Sequence, residues 1–117
     1  MERSKLGKIS RARRRVARIE AQDGLARVQD VLCEPARLRI VGALDGADEL
    51  TVGELALAIE RKIPATSQHL RLLRELGLVE GERRGRAVYY RLHSGRATEQ
   101  VRDVLNALTP RRHAGNE

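Results

Sequence analysis

Between residues 64 and 77 the apolar and polar positions of this chain separate around a helical wheel. At ~100° per residue, Ala65, His69, Leu70, Leu72, Leu73 and Leu76 share one broad arc, and Ser67, Gln68, Arg71, Arg74 and Glu75 lie opposite. Pro64 suits the start of that helix and Gly77 its end. Upstream, Thr51-Val-Gly-Glu54 has the spacing of a capping box, and Val52, Leu55, Ala56 and Ile59 follow it at helical intervals. Arg61-Lys62-Ile63 is the predicted turn between these two helices. An earlier helix starts at Pro35, carries Leu38, Val41 and Leu44 inward, and ends near Gly46. Two further stripes precede it: Ile9, Ala12, Val16 and Ile19, with Ser10 as a candidate cap, and then Leu25, Val28 and Leu32. Asp23-Gly24 is a candidate break between them, so they form either one bent helix or two.

Downstream the period changes. Val88, Tyr90 and Leu92 alternate with Ala87, Tyr89 and Arg91, as in a strand with one buried face. Gly85 supplies the turn of a β-hairpin whose tip carries Arg83, Arg84 and Arg86. Val101, Val104, Leu105 and Leu108 predict a last amphipathic helix stopped by Pro110. The expected fold is mainly α with a β-hairpin wing, in the order α-α-α-α-β-β-α behind a basic N-terminal helical arm. Two short helices joined by a tight turn make a helix-turn-helix, and the hairpin makes it winged. The expected divisions are an arm over residues 1–22, a winged helix-turn-helix domain over 23–109 and a frayed tail over 110–117.

Charge sharpens this picture. The net charge is +7, and residues 1–22 hold eight Lys/Arg against two Asp/Glu, so the arm carries nearly all the excess. Such an arm points to a polyanion, against the plainer reading of a solvated tail. A chain of 117 residues suits one domain with a small core, here almost wholly aliphatic because Trp and Phe are absent. The single cysteine allows no intrachain disulfide. No apolar run suggests a signal peptide or a membrane span, so a cytoplasmic protein without membrane contact is expected.

An α-helix fits the major groove of B-DNA, where Gln can pair two-pronged with adenine, Ser serves several bases, and Arg reads guanine or holds phosphate. The residues expected to face double-stranded DNA are Thr66, Ser67, Gln68, His69 and Arg71 on the helix, with Arg83, Arg84, Arg86 and Tyr89 on the hairpin. Arginines on a wing can grip backbone or enter a minor groove. The plainer reading of His69 is a partly buried ring with one nitrogen satisfied by backbone. Two other functional classes compete with DNA binding. A winged helix can dock a protein or RNA instead of an operator. An enzyme is poorly supported, since no phosphate-cradling Gly loop, paired-carboxylate cleft or nucleophile–base pair is visible.

CEPARLRIVGAL, then ELTVGELALAI, then ATSQHLRLLRELGLVEGERRGRAVYYRL, resembles the ArsR/SmtB family of winged-helix repressors. The resemblance spans about residues 25–108, and SQHLRLLRELGLV with the RRGRAVYY wing is its most specific part. It implies a homodimer on a palindromic operator, released by an inducer. It also implies a dimer interface from the first and last helices, here Leu25, Val28 and Leu32 with Val101, Val104, Leu105 and Leu108. The resemblance places a His such as His69 close to DNA.

The sensor positions depart from the family. Thr51 and Gly53 stand where relatives carry metal-binding cysteines, and the positions matching the last-helix ligands fall on Ser94, Arg96, Ala107 and Pro110. A metal site needs several thiolates, imidazoles or carboxylates in one place, so no metal and no cofactor is expected and the inducer is unknown. A pairing of His93 with Asp103 across a dimer is the remaining non-family metal arrangement, and His113 has no helically spaced partner. Cys33 is either a small residue packed near a helix end or a redox or electrophile sensor. Arg37 and Arg39 would be the electropositive neighbours such a thiol needs, and Glu34 would oppose them. The arm is longer and more basic than the family core requires. It is expected to extend the dimer interface through Ile9, Val16 and Ile19 and to add phosphate contacts through Arg11, Arg13, Arg14, Arg15 and Arg18.

Overall fold

The computed structural model describes residues 2–22 and 24–109. Six helices and three strands follow one another as α1 (Glu2–Glu20), α2 (Leu25–Leu32), α3 (Pro35–Ala47), β1 (Glu49–Thr51), α4 (Val52–Ile59), α5 (Ile63–Glu75), β2 (Val79–Arg84), β3 (Ala87–Leu92) and α6 (Arg96–Leu108). The strands form one antiparallel sheet in the order β1-β3-β2. Ahead of the hairpin the order matches the expected arm plus four helices, with one addition: β1 pairs Glu49 with Arg91 and Thr51 with Tyr89. Three residues are too few for a period-2 signal, so only the pairing with β3 defines this strand.

Local chemistry accounts for the element ends. Glu34 caps α3 by accepting from the Ala36 N–H, with Pro35 in the first turn. The capping box of α4 is complete: Thr51 Oγ1 accepts from the Glu54 N–H at 3.2 Å, and Glu54 Oε1 accepts from the Thr51 N–H at 2.9 Å. Helix α5 ends in a Schellman motif. The Gly77 N–H donates to the Arg74 carbonyl and the Leu78 N–H to the Leu73 carbonyl, both at 3.0 Å, with Gly77 at φ +77°. Leu73 and Leu78, brought together by this motif, are both fully buried. Gly85 has φ +63° at the first of two loop positions, as a type II′ hairpin requires.

The core joins Val31 of α2, Ile40, Val41 and Leu44 of α3, Leu55 and Ile59 of α4, Leu70 and Leu73 of α5, Leu78 just after it, Val79 of β2, and Val101 of α6. Tyr90 and Leu92 of β3 pack against it, and Leu50 of β1 joins them. Several sequence expectations need correction. Ser10 does not cap the arm helix, which is already running from Glu2. The wheel of α5 turns Leu72 inward, but it is about two-fifths exposed, while Val31 and Ile40, outside the expected stripes, are fully buried. All six residues of β3 are half-buried, because the outer face is itself covered by long charged side chains. The candidate break falls between two separate helices, although Asp23 lies outside the described residues, as do Pro110, His113 and the rest of the expected frayed tail at 110–117. The side chain of Leu25 is outside them too.

Helix α1 projects from this body. The molecule measures 69 × 38 × 24 Å, with a radius of gyration of 18.5 Å. A compact chain of this length would have about 13 Å. Leu6, Ile9, Val16 and Ile19 along α1 are all exposed.

Candidate nucleic-acid interface

Helices α4 and α5 are joined by the short turn Glu60–Lys62, which fixes their crossing and leaves one face of α5 open. Glu60 turns the chain at φ +57°, and the Arg61 N–H donates back to the Ala56 carbonyl at 3.0 Å. Arg39 of α3 reaches the Ile59 carbonyl at 3.4 Å and ties the same turn to the helix behind it. On α5, Leu70 and Leu73 are buried against the core, and Ser67, Gln68 and Arg71 are exposed on the opposite side. None of these three has a hydrogen bond or ion pair among the described residues, so their donors and acceptors are free for a ligand.

Thr66 is a correction. It is 0% exposed, and its hydroxyl donates to the Lys62 carbonyl at 2.9 Å. It closes the first turn of α5 from inside and presents nothing to DNA. His69 is half-buried, as the wheel implied, but its Nδ1 is buried without a partner, so the expected backbone bond is absent.

The wing divides its arginines. Arg84 turns back across the sheet: its Nη1 and Nη2 donate to Glu49 at 2.7 and 2.8 Å, and its Nε donates to Glu82 at 2.6 Å. The same guanidinium lies 4.7 Å from the centre of the Tyr89 ring. Arg91 joins this charged network through Glu80 at 2.7 Å, and His93 Nδ1 sits 2.9 Å from the other Glu80 oxygen. The hydrogen bond and charge of Arg84 hold the Glu49 carboxyl below its ordinary value. Glu80 is lowered by its hydrogen bonds to His93 and Arg91, and Arg84 is raised by Glu49 and Glu82. The sequence puts Arg84 and Tyr89 on the DNA side; in the structure the exposed Arg84 guanidinium is paired with Glu49 and Glu82 and lies over the Tyr89 ring. Arg83 and Arg86 are exposed and unpaired among the described residues.

Known proteins share this arrangement. A family pattern described as a helix-turn-helix domain matches residues 32–82. The chain is 33% identical over 103 residues to a transcriptional repressor SmtB homolog of Synechocystis sp., covering 88% of this chain and 77% of that protein. The chain belongs to the ArsR/SmtB family of winged-helix transcriptional regulators. Among solved structures, the transcriptional repressor BigR from Xylella fastidiosa superposes with TM-score 0.66 at 31% identity, over 86% of this chain and 98% of that one. The homodimeric winged helix-turn-helix DNA-binding domain of a possible ArsR-family regulator from Mycobacterium bovis gives TM-score 0.63 at 28% identity, over 86% and 94%.

Membership in the ArsR/SmtB family raises the question of metal, and the residues present do not fit one. The Thr51 hydroxyl and the Glu54 carboxylate are both taken up by the capping box, and Gly53 has no side chain to offer. His93 Nδ1 is engaged by Glu80 of the same sheet, and its suggested pairing with Asp103 is one between two copies of the chain. Among the described residues no three His, Cys, Asp or Glu side chains gather as a metal would need. Cys33 is exposed at the end of α2 rather than packed away. Within the described residues no helix is long and apolar enough to cross a membrane.

Proposed function

We propose that this ArsR/SmtB-family regulator is a dimeric repressor that reads a palindromic operator with α5 and grips its backbone with the wing. The observation that carries the reading is the uncommitted polar edge Ser67, Gln68 and Arg71 opposite the buried Leu70 and Leu73 of α5, together with a wing whose Arg83 and Arg86 are unpaired among the described residues. Members of the family are DNA-binding regulators rather than enzymes, and two-fold symmetry in the protein matches two half-sites about one helical turn apart. The half-exposed Val104 and Leu105 and the exposed Leu32 and Leu108 on α2 and α6 form the surface that a second copy would cover. The exposure of Cys33 favours a thiol-reactive signal as the release mechanism over a metal at the start of α4.

The test is binding to the DNA upstream of the protein's own gene against a scrambled duplex, over a salt series. The expected result is a specificity ratio of about a thousandfold or more with a steep salt slope. Gln68→Ala should cut that ratio by roughly 5- to 150-fold, the discrimination that one two-pronged base pairing supplies. Iodoacetamide should release the wild-type protein and spare Cys33→Ser. Equal, weak binding to both duplexes would overturn the operator reading and turn attention to a protein or RNA partner.

A further inference from the structure

We propose that Arg37 and His69 form a seat for a backbone phosphate of the bound DNA, in the cleft between α3 and α5. This rests on the DNA-binding reading above and extends it to a residue of α3, outside both the reading helix and the wing. A cleft of about 360 Å³ opens between α3 and α5, lined by Arg37, Gln68, His69, Arg71 and Leu72. Two guanidinium groups, an imidazole and an amide surround it, and no carboxylate does. Its walls therefore carry only positive charge and neutral donors, the composition an anion requires.

The Arg37 guanidinium is already positioned. Its Nη1 donates to the Asp30 carbonyl at 3.0 Å, at the end of α2. Its Nε is buried without a partner, and no other hydrogen bond engages the group among the described residues. His69 Nδ1 is likewise buried and unpartnered on the facing helix. The tautomer that avoids burying an unpaired N–H places the proton on Nε2, the ring nitrogen left open, which then donates. The sheltered Arg37 Nε–H, without an acceptor among the described residues, is costly in the free protein. A phosphate oxygen is the acceptor that matches a pre-oriented guanidinium and a neighbouring ring N–H. Gln68 and Arg71 line both this cleft and the exposed edge of α5, so an anion entering it while α5 lies in a groove is attached to the same DNA. Phosphate contacts of this kind set the register of a reading helix without selecting sequence.

The experiment compares wild type and Arg37→Gln on the upstream DNA and on scrambled DNA across salt, with thermal unfolding measured on the same samples. The expected result is a salt slope flatter by about 0.9 per protomer, weaker binding to both duplexes, and an unchanged specificity ratio. Arg37→Lys should regain most of the slope, since a point charge still neutralises phosphate. An Arg37→Gln protein that loses affinity at every salt concentration with the wild-type slope would overturn the proposal and leave Arg37 as a tie between α2 and α3. In the wild-type protein, the Arg37 Nε–H resonance should move on addition of DNA; a resonance that stays put overturns the proposal even if the variant fails to fold. Inorganic phosphate at matched ionic strength should leave that resonance unmoved at millimolar concentration; a saturating shift would assign the seat to a free anion instead. Failure of the wild type to discriminate the two duplexes would instead strike the operator reading, because the slope comparison can still be made on either DNA.

Discussion

Thr51 belongs to two elements at once. It ends β1 opposite Tyr89, and its side chain caps α4. The sequence pattern Thr-x-x-Glu disclosed the cap, but nothing in it disclosed the strand. Because one residue serves both, the sheet and the first helix of the helix-turn-helix meet without slack. Thr51→Ala should cost about 1 kcal/mol in unfolding free energy, the usual loss for an N-cap hydroxyl, and chemical denaturation measures it. Thr66 is the complementary case. Its neighbours Ser67 and Gln68 are exposed, and a Thr in that position reads as polar surface, yet its methyl and hydroxyl both fit an interior turn. Wheel angles sort such a residue poorly because threonine is acceptable on either side once its hydroxyl finds a backbone carbonyl one turn back.

The wing shows how pairing decides which charges are available. A two-residue loop at Gly85-Arg86 imposes the register Arg84↔Ala87, Glu82↔Tyr89 and Glu80↔Arg91, so the Glu80–Arg91 pair was legible from the turn alone. The capture of Arg84 by Glu49 was not, because it needs β1 on the far side of β3, 35 residues away in sequence. The charged network predicts a pH effect with a definite sign. The folded carboxyls of Glu49 and Glu80 titrate below their ordinary 4.5, so their stabilising contribution is fully present above that value and is lost as pH falls through the depressed folded values. Glu49→Gln should therefore lower the thermal midpoint at neutral pH, with the gap between variant and wild type closing as pH is taken well below 4.5. A gap independent of pH would show that Glu49 acts through packing alone. These groups are solvent-accessible, so the effect is expected to be small and to shrink with salt.

In the whole molecule, α1 is the element that keeps its large apolar side chains outside the core. Its apolar stripe is exposed, while Arg11, Arg14, Arg15 and Arg18 lie around the opposite face at ~100° per residue. A lone helix with this much exposed aliphatic surface favours a partner helix, and a second copy of the same arm offers the same stripe. Removing residues 1–22 should weaken dimerisation, read by sedimentation as a shift toward monomer, and flatten the salt dependence of DNA binding by about 0.9 for each phosphate the arm neutralises. An unchanged slope with weakened dimers would keep the interface role and remove the phosphate role. What the sequence by itself determined were the helices, the capping box of α4, the hairpin and the order that makes a winged helix-turn-helix, because periodicity and turn chemistry act over a few residues and are written locally. It also determined that the arm is the most basic segment and that the thiolate pair at the start of α4 is missing. Only the tertiary structure decided that Thr66 faces inward, that Arg84 is neutralised while Arg83 and Arg86 stay free, and that Arg37 shares a cleft with His69. Each of those outcomes depends on segments distant in sequence arriving within hydrogen-bond range. No local pattern carries that distance; packing of the helices and pairing of the third strand do.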